Sequence, residues 1–359
     1  MLRKLLIALC LVAGGVAGPA GAQDCLPIGD SCISPEDSRV VLGPAELTEL
    51  PKLAGATWLQ SLELVGDGDP ALVVDLAALN VLTDLGHLRI QDLPGARWEG
   101  LDLPALQALG LRDNEITDFA FLDDLPALKA LWLKDSFGLS DLPRATLGRI
   151  ENLRLNGPDL HDIKADGAMT NLTILGFKDV SLADLSGLGP TPALELLNID
   201  GEDILSLDGL IVGPAFRELW AERANLTDIS ALAPADNLEV LRGKNSRIAD
   251  ISALAGKNKL LTLFLTGSQV SDLSPLVGLQ SLQLLSFSDT PVTDISALSN
   301  LPKLVAIYMN ITRVTDFTPL LETPTDIMLR INSDRILMSS QLPGFIAEEG
   351  WKRGPLYEK

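Results

Sequence analysis

The sequence predicts an α/β fold: a right-handed solenoid with a parallel β-sheet along its concave face and short 3₁₀, helical or turn segments along its convex face. Three observations carry this expectation. A phrase of 22 residues recurs ten times over residues 104–323 without an insertion or deletion. Its third and sixth positions are apolar throughout, from Leu106 and Leu109 to Leu304 and Ile307. Its fifteenth position is Asp in eight repeats and Ser in the other two, Ser140 and Ser206. A fixed period of this length means one supersecondary unit stacked on copies of itself, each burying its apolar face only against its neighbours.

The elements follow in order. Residues 1–22 have a basic start (Arg3, Lys4), an apolar stretch over 5–16 and Ala20-Gly21-Ala22, the pattern of a secretory signal peptide with its cleavage site. The apolar stretch is broken by Gly14 and Gly15 and is too short for a bilayer span. Removing it takes Cys10 away and leaves Cys25 and Cys32, an even count that an oxidising compartment joins as a disulfide. Residues 23–56 lack the repeat phrase, and their strand-like 38–42 and a helix opening at Pro44 read as an N-terminal cap. Two irregular turns, 57–82 with an inserted Gly-Asp-Gly-Asp-Pro and 83–103, precede the ten regular repeats. A degenerate last turn begins at Pro324 with Leu329 and Ile331, so the solenoid spans 57–331 in twelve to thirteen turns. Residues 332–359 read as a C-terminal cap and tail, with a short helix opening at Pro343.

Within each repeat, L-x-x-L-x-L has the alternation of a short strand, and stacked turns pair these strands in parallel. The Asp or Ser at position fifteen is suited to accept backbone amides of a 3₁₀ or helical segment through sequences such as ISAL and LSPL. The phrase T-D-I-S-A-L followed by L-x-x-L-x-L resembles the short-repeat leucine-rich repeat proteins of bacteria, most closely the internalin type, over residues 57–331. That type carries Asn at the eleventh position, whose side chains ladder down the stack. Here Asn114 alone does so, Ser136, Ser246, Ser268, Thr290 and Thr312 are expected to substitute, and Pro158, Val180, Glu202 and Ala224 are not expected to act in the same way. The resemblance implies recognition of a protein by the concave sheet.

Charge narrows the partner. The formal net charge is −20, which argues against nucleic acid or anionic lipid as the bulk partner. Side chains at positions five, seven and nine point into the concave face, and those columns reverse the sign: Arg89, Arg112, Lys134, Arg154, Lys178, Arg242, Lys244 and Arg330 stand against Glu63, Asp200, Glu218 and Glu222. The seventh column also carries Trp132, Trp220, Phe264 and Tyr308. An arginine follows one turn after Trp132, Trp220 and Tyr308, close enough for cation–π pairs. One reading is that these pairs only support one another on a solvated sheet. The favoured reading is a ligand-binding strip for a protein with acidic and apolar surface features, because Trp, Tyr and Arg dominate interface energetics. A carbohydrate or cell-envelope glycan is the alternative partner, since flat aromatic rings beside arginines also suit sugars. Small Ala221 and Gly243 at position eight leave room either for a pocket or for compensation by Phe216 and nearby leucines.

Catalysis and metal binding find little support. His87 lies in a concave column and His161 on the convex side, but neither can be given a nucleophile and an orienting acid. Asp67 and Asp69 fall short of the six to eight oxygens that calcium takes. The expectation is an exported, non-enzymatic recognition protein, periplasmic or extracellular, with no cofactor, no metal and no transmembrane segment in the mature chain.

Overall fold

The computed structural model describes residues 25–343 apart from 30, 135–138, 159, 161–162, 166–168, 322, 324 and 333–334. The signal segment, His161 and all of the expected closing helix beyond Pro343 lie outside the described residues. Fifteen strands form one sheet in sequence order, broken in numbering only where short strands of the opposite side intervene. Every pairing is parallel from Arg39–Leu42 through Met328–Asn332, and the last strand, Arg335–Met338, turns back antiparallel.

The register follows the repeat phrase. Leu153 pairs with Leu131 on one side and Leu175 on the other, and Leu219, Leu241, Leu263 and Leu285 continue the row. Because side chains alternate along a strand, these sixth positions all turn inward, and each is fully buried. Third-position residues such as Leu172, Phe216 and Leu282 are buried beside them. Each large side chain so buried contributes roughly 1.5–3 kcal/mol, and a single repeat cannot realise that gain without a neighbour to cover it.

The opposite side is short 3₁₀ segments, including Ser230–Leu232, Ser252–Leu254, Ser274–Leu276, Ser296–Leu298 and Thr318–Leu320. Each is opened by the fifteenth-position aspartate, whose Oδ1 accepts the amide two residues on. These bonds run Ser230 to Asp228, Ser252 to Asp250 and Ser274 to Asp272, each 2.7 Å, then Ser296 to Asp294 at 2.8 Å and Thr318 to Asp316 at 2.9 Å. The helix is replaced in the middle of the stack. There Gly189–Thr191 and Leu210–Val212 pair in parallel instead, a side sheet that the repeat phrase does not announce.

Two expectations gain detail. The strand-like segment at 38–42 forms a strand, Arg39–Leu42, which opens the long sheet by pairing with Ser61–Val65. Glu202, not expected to act in the same way as asparagine, bridges turns differently: its two carboxylate oxygens only accept, from the amides of Asp179 and Val180, both at 2.8 Å. Asn114 bridges turns as expected, donating to the Ile90 carbonyl at 3.0 Å and accepting from the Leu93 amide at 3.2 Å. Ser246, Thr290 and Thr312 instead donate to carbonyls three residues back in their own turns, Gly243, Phe287 and Met309. At this position the hydroxyl closes its own turn.

Ahead of the sheet, Cys25 and Cys32 form a disulfide across the hairpin Leu26–Ile28 and Ser31–Ile33. Trp58 ties this region to the stack by donating its Nε1 proton to the Ser34 carbonyl at 3.2 Å. Among the described residues, no helix is long and apolar enough to cross a membrane.

Candidate recognition strip

The seventh positions form one continuous column across the open face of the sheet. In register it runs Val41, Glu63, Arg89, Gly110, Trp132, Arg154, Gly176, Asn198, Trp220, Arg242, Phe264, Ser286, Tyr308, Arg330 and Ile336. Positions five and nine flank it. Arg112, Lys134, Lys178 and Lys244 lie in the ninth column, on the same face as the seventh-column arginines. Arg39 and Val41, from the segment read as a cap, extend the strip by one strand.

The aromatic–cationic pairs form in two ways. Arg242 lies over Trp220, its Cζ 4.5 Å from the ring centroid, and Trp220 is held from below by its Nε1 donating to Glu218 Oε2 at 2.9 Å. Trp132, expected to take Arg154 from the next strand, takes Arg89 instead, from two strands away, at 6.0 Å. Gly110 is the reason. It sits between them in register, and a Cβ there would meet Trp132 Cε3 at 3.4 Å and Arg89 Nε at 3.5 Å. With no side chain at this position, nothing stands between the two. Tyr308 and Arg330 are register neighbours at the far end.

The cations differ in how far the protein itself neutralises them. Glu63 holds Arg39 at 2.9 Å and Arg89 at 3.9 Å. Asp113 holds Arg112 at 3.0 Å and Lys134 at 3.1 Å. Desolvation pushes the Asp113 carboxyl up, but the hydrogen bonds from Arg112 and Lys134 together outweigh it and leave the group below its ordinary value. Arg154, Lys178 and Lys244 are exposed and have no such partner among the described residues. Asp200, beside Arg242, is spoken for by the Glu222 amide at 2.7 Å, and burial with nearby Glu222 keeps its carboxyl above the ordinary range despite Arg242. Free positive charge is therefore concentrated at Arg154 and Lys178 near the middle of the strip and at Lys244 beyond it.

Several polar atoms of the strip are buried without a hydrogen-bond partner: Trp132 Nε1, Asn152 Oδ1, Asn156 Oδ1, Arg242 Nε and Asn310 Oδ1. Three of these lie on the adjacent strands Ala130–Lys134 and Asn152–Asn156. Sequence reasoning missed the asparagines because polar residues on an open sheet face carry no signal of their own.

Alternative chemistry is not assembled. His87 is exposed, with Ser61 and Ala108 as its register neighbours. Ser61 is a hydroxyl beside an imidazole that the repeat pattern did not single out, but no carboxylate orients the ring among the described residues. In the inserted loop, Asp67 Oδ1 accepts the Asp69 amide and Asp69 Oδ1 accepts the Ala71 amide, so these carboxylates fold their own turn. Among the described residues, no three His, Cys, Asp or Glu side chains gather as a metal site. At Gly243 the space is filled by Ile248, Leu241 and Ser246, and Ala221 is fully buried. A cavity of about 540 Å³ does lie on the flank, walled by Trp98 stacked on Phe121 at 4.4 Å and rimmed by Glu99, Glu115 and Asp124. None of its lining residues belongs to the strands of the long sheet.

A row of paired strands, one per 22 residues, with short 3₁₀ segments opposite, now meets its relatives. No family model and no curated protein matches the chain. Solved structures do. An internalin of Listeria monocytogenes aligns with a TM-score of 0.50 and 19% identity, covering 85% of this chain and 91% of that one. A leucine-rich repeat protein of Leptospira interrogans aligns at 0.53 and 18%, covering 82% and 72%. This chain is a leucine-rich repeat solenoid. Mouse RP105, solved as a complex with MD-1, aligns with the solenoid at 0.60 and 18%, covering 84% of this chain and 56% of that one. The leucine-rich repeat neighbours thus come from both bacteria and animals, and at these identities they establish the solenoid's fold.

Proposed function

We propose that this solenoid is exported and binds a protein partner through the open face of its long sheet, without catalysing a reaction. The observation that carries the proposal is the pair of indoles, Trp132 and Trp220, each held by an arginine and each left partly accessible on a surface whose central cations are unpaired. A chain of net charge −20 that gathers uncommitted arginine and lysine on one face has a surface matched to an acidic partner. Indole and guanidinium groups dominate the energetics of protein interfaces. The RP105 complex with MD-1 is a leucine-rich repeat protein bound to a protein, which supports the same use here. Export rests on the signal pattern in residues 1–22 and is consistent with the disulfide between Cys25 and Cys32.

The test pairs residues 23–359 with a Trp132→Ala/Trp220→Ala variant as baits against envelope and secreted fractions of the source cells. A protein retained by the parent and lost by the variant is then purified and titrated. The expected loss is at least a hundredfold in affinity with a melting temperature within a few degrees of the parent, since both indoles stand on the open face. Equal retention by the two baits removes the open face from the reading. Retention that free oligosaccharide at millimolar concentration abolishes assigns the same face to a glycan.

A further inference from the structure

The seventh column between the two indoles has a shape as well as a charge. Trp132 and Trp220 are separated by three register positions, Arg154, Gly176 and Asn198, hence by four strand spacings. At about 4.8 Å per spacing the indoles stand about 19 Å apart. Gly176 lowers the floor between them. A Cβ at that position would find only Arg154 Cγ at 3.7 Å and Asn198 Cβ at 3.9 Å, ordinary contacts that leave the space above it open. Gly110 has the opposite setting, since Arg89 and Trp132 close over it. Arg154 stands at one side of the notch in the seventh column, and Lys178 stands beside Gly176 in the ninth, on the same strand, Ile174–Lys178. Both are exposed and unpaired among the described residues, while the neighbouring Lys134 is held by Asp113. The outer flanks of the two indoles are backed by Arg89 and Arg242. The result is a trough with an aromatic post at each end and two uncommitted cations at its centre.

Resting on the reading of the open face as a protein-binding surface, we infer that this trough takes an extended acidic segment of the partner, running across the strands, with a carboxylate seated over Gly176 between Arg154 and Lys178. The spacing sets the segment's pattern. An extended chain advances about 3.3 Å per residue, so about six residues span the indoles. Six is even, and in an extended chain residues two, four and six apart share a face. The segment therefore carries apolar side chains at i and i+6, packed on Trp132 and Trp220, and Asp or Glu at i+2 or i+4. Trp132 Nε1, at one end of the path, has no hydrogen-bond partner among the described residues. The main chain of a segment lying across the strands need not pair with the sheet, whose amides and carbonyls already pair between strands. Affinity then comes from side chains, which makes the pattern selective.

The experiment is a display selection of random twelve-residue peptides on immobilised residues 23–359. Recovered peptides are synthesised and titrated against the parent, an Arg154→Glu/Lys178→Glu variant and a Trp220→Ala variant. The expected result is enrichment of two apolar residues six apart with an acid at an even position between them, and at least a tenfold loss of affinity with either variant. Moving the second apolar residue by one position is expected to cost a similar factor. Peptides without an intervening acid, or peptides indifferent to Arg154→Glu/Lys178→Glu but weakened by Trp220→Ala, overturn the trough while leaving the open-face reading intact. Peptides indifferent to both variants overturn that reading as well. Failure to enrich any peptide, together with binding of an oligouronate that Arg154→Glu/Lys178→Glu abolishes, overturns the peptide segment and gives the notch to an acidic glycan. Circular dichroism and melting of both variants confirm that each is folded before its titration is read.

Discussion

A carboxylate at the fifteenth position of a repeat has a task that an amide performs equally well at neutral pH. Asp250, Asp272 and Asp316 each accept a backbone amide and a hydroxyl from the residue two places on, and these bonds, the backbone bond foremost, hold each carboxyl below its ordinary value of 3.8. For Asp184 the Ser186 hydroxyl is the larger cause. A folded value depressed below the unfolded one gives stability that is present above the unfolded value and is lost as pH falls through it towards the folded value. Acid destabilisation is therefore expected to set in below about pH 4 and to involve many turns at once, since the same bond recurs along the stack. Asparagine accepts the same amide without titrating. Asp250→Asn/Asp272→Asn/Asp316→Asn is expected to melt near the parent temperature at pH 7 and to lose less than the parent between pH 5 and pH 3. A thermal melt at each pH decides it, and parallel curves for the two proteins would remove the caps from the account. These aspartates were legible from the sequence because an N-cap preference is local and needs no knowledge of neighbours. Glu202 was not legible for the opposite reason. Its role depends on the amides of Asp179 and Val180 one turn away, and on burial that pushes its carboxyl up, neither of which its own repeat encodes.

At the scale of the element, the strand was the most legible part of each repeat and the segment opposite it the least. Two alternating apolar positions suffice to set a strand's face, and the observed register follows them throughout. The return segment has only to cover the core, and 3₁₀ turns, a short α-helix at Arg144–Arg149 and the paired strands Gly189–Thr191 and Leu210–Val212 all do so. The eighth position shows how the interior compensates within one element. Gly243 is covered by Ile248 Cδ1, 3.0 Å from where a Cβ would stand, and by Leu241 Cδ2 and Ser246 Oγ at 3.3 Å. Of the expected fillers, Phe216 and nearby leucines, Leu241 is among the three nearest contacts, and Ile248 from the same turn is nearer still. Gly243 has no positive φ, so alanine meets only this packing. Gly243→Ala is expected to cost about 1 kcal/mol through overpacking. Removing the crowded methyl should relieve it: Gly243→Ala/Ile248→Val is expected to be no less stable than Ile248→Val alone, a favourable coupling in a double-mutant cycle. Chemical denaturation of the four proteins measures it. Simple additivity would mean that the contact with Ile248 is not what limits the site.

The whole molecule is a one-dimensional object, and its most demanding test exploits that. In a stack, each turn is stabilised by its own burial and by two interfaces, so removing one complete turn should remove one share of each and nothing else. Deleting residues 258–279 joins Lys257 to Gln280 at equivalent places in the phrase. The strand Val240–Arg242 then meets Leu284–Ser286, with Leu241 beside Leu285 as Leu241 now lies beside Leu263. Buried leucine replaces buried leucine, and the Asp250 and Asp294 caps keep their own amides. The shortened protein is expected to retain the circular dichroism of the parent per residue and to melt cooperatively a few degrees lower. The trough between Trp132 and Trp220 lies on the N-terminal side of the cut, so ligands selected on the full chain should bind within a factor of about three, about 0.7 kcal/mol. Deleting only residues 258–268 is a smaller excision with a larger effect. It brings the buried third and sixth positions of the following turn half a repeat out of phase, leaving apolar side chains uncovered and strand groups unpaired. That variant is expected to lose cooperative melting. If the two deletions behaved alike, the fixed 22-residue period would not be what holds the stack in register, and the placement of every residue in the strip would have to be drawn again.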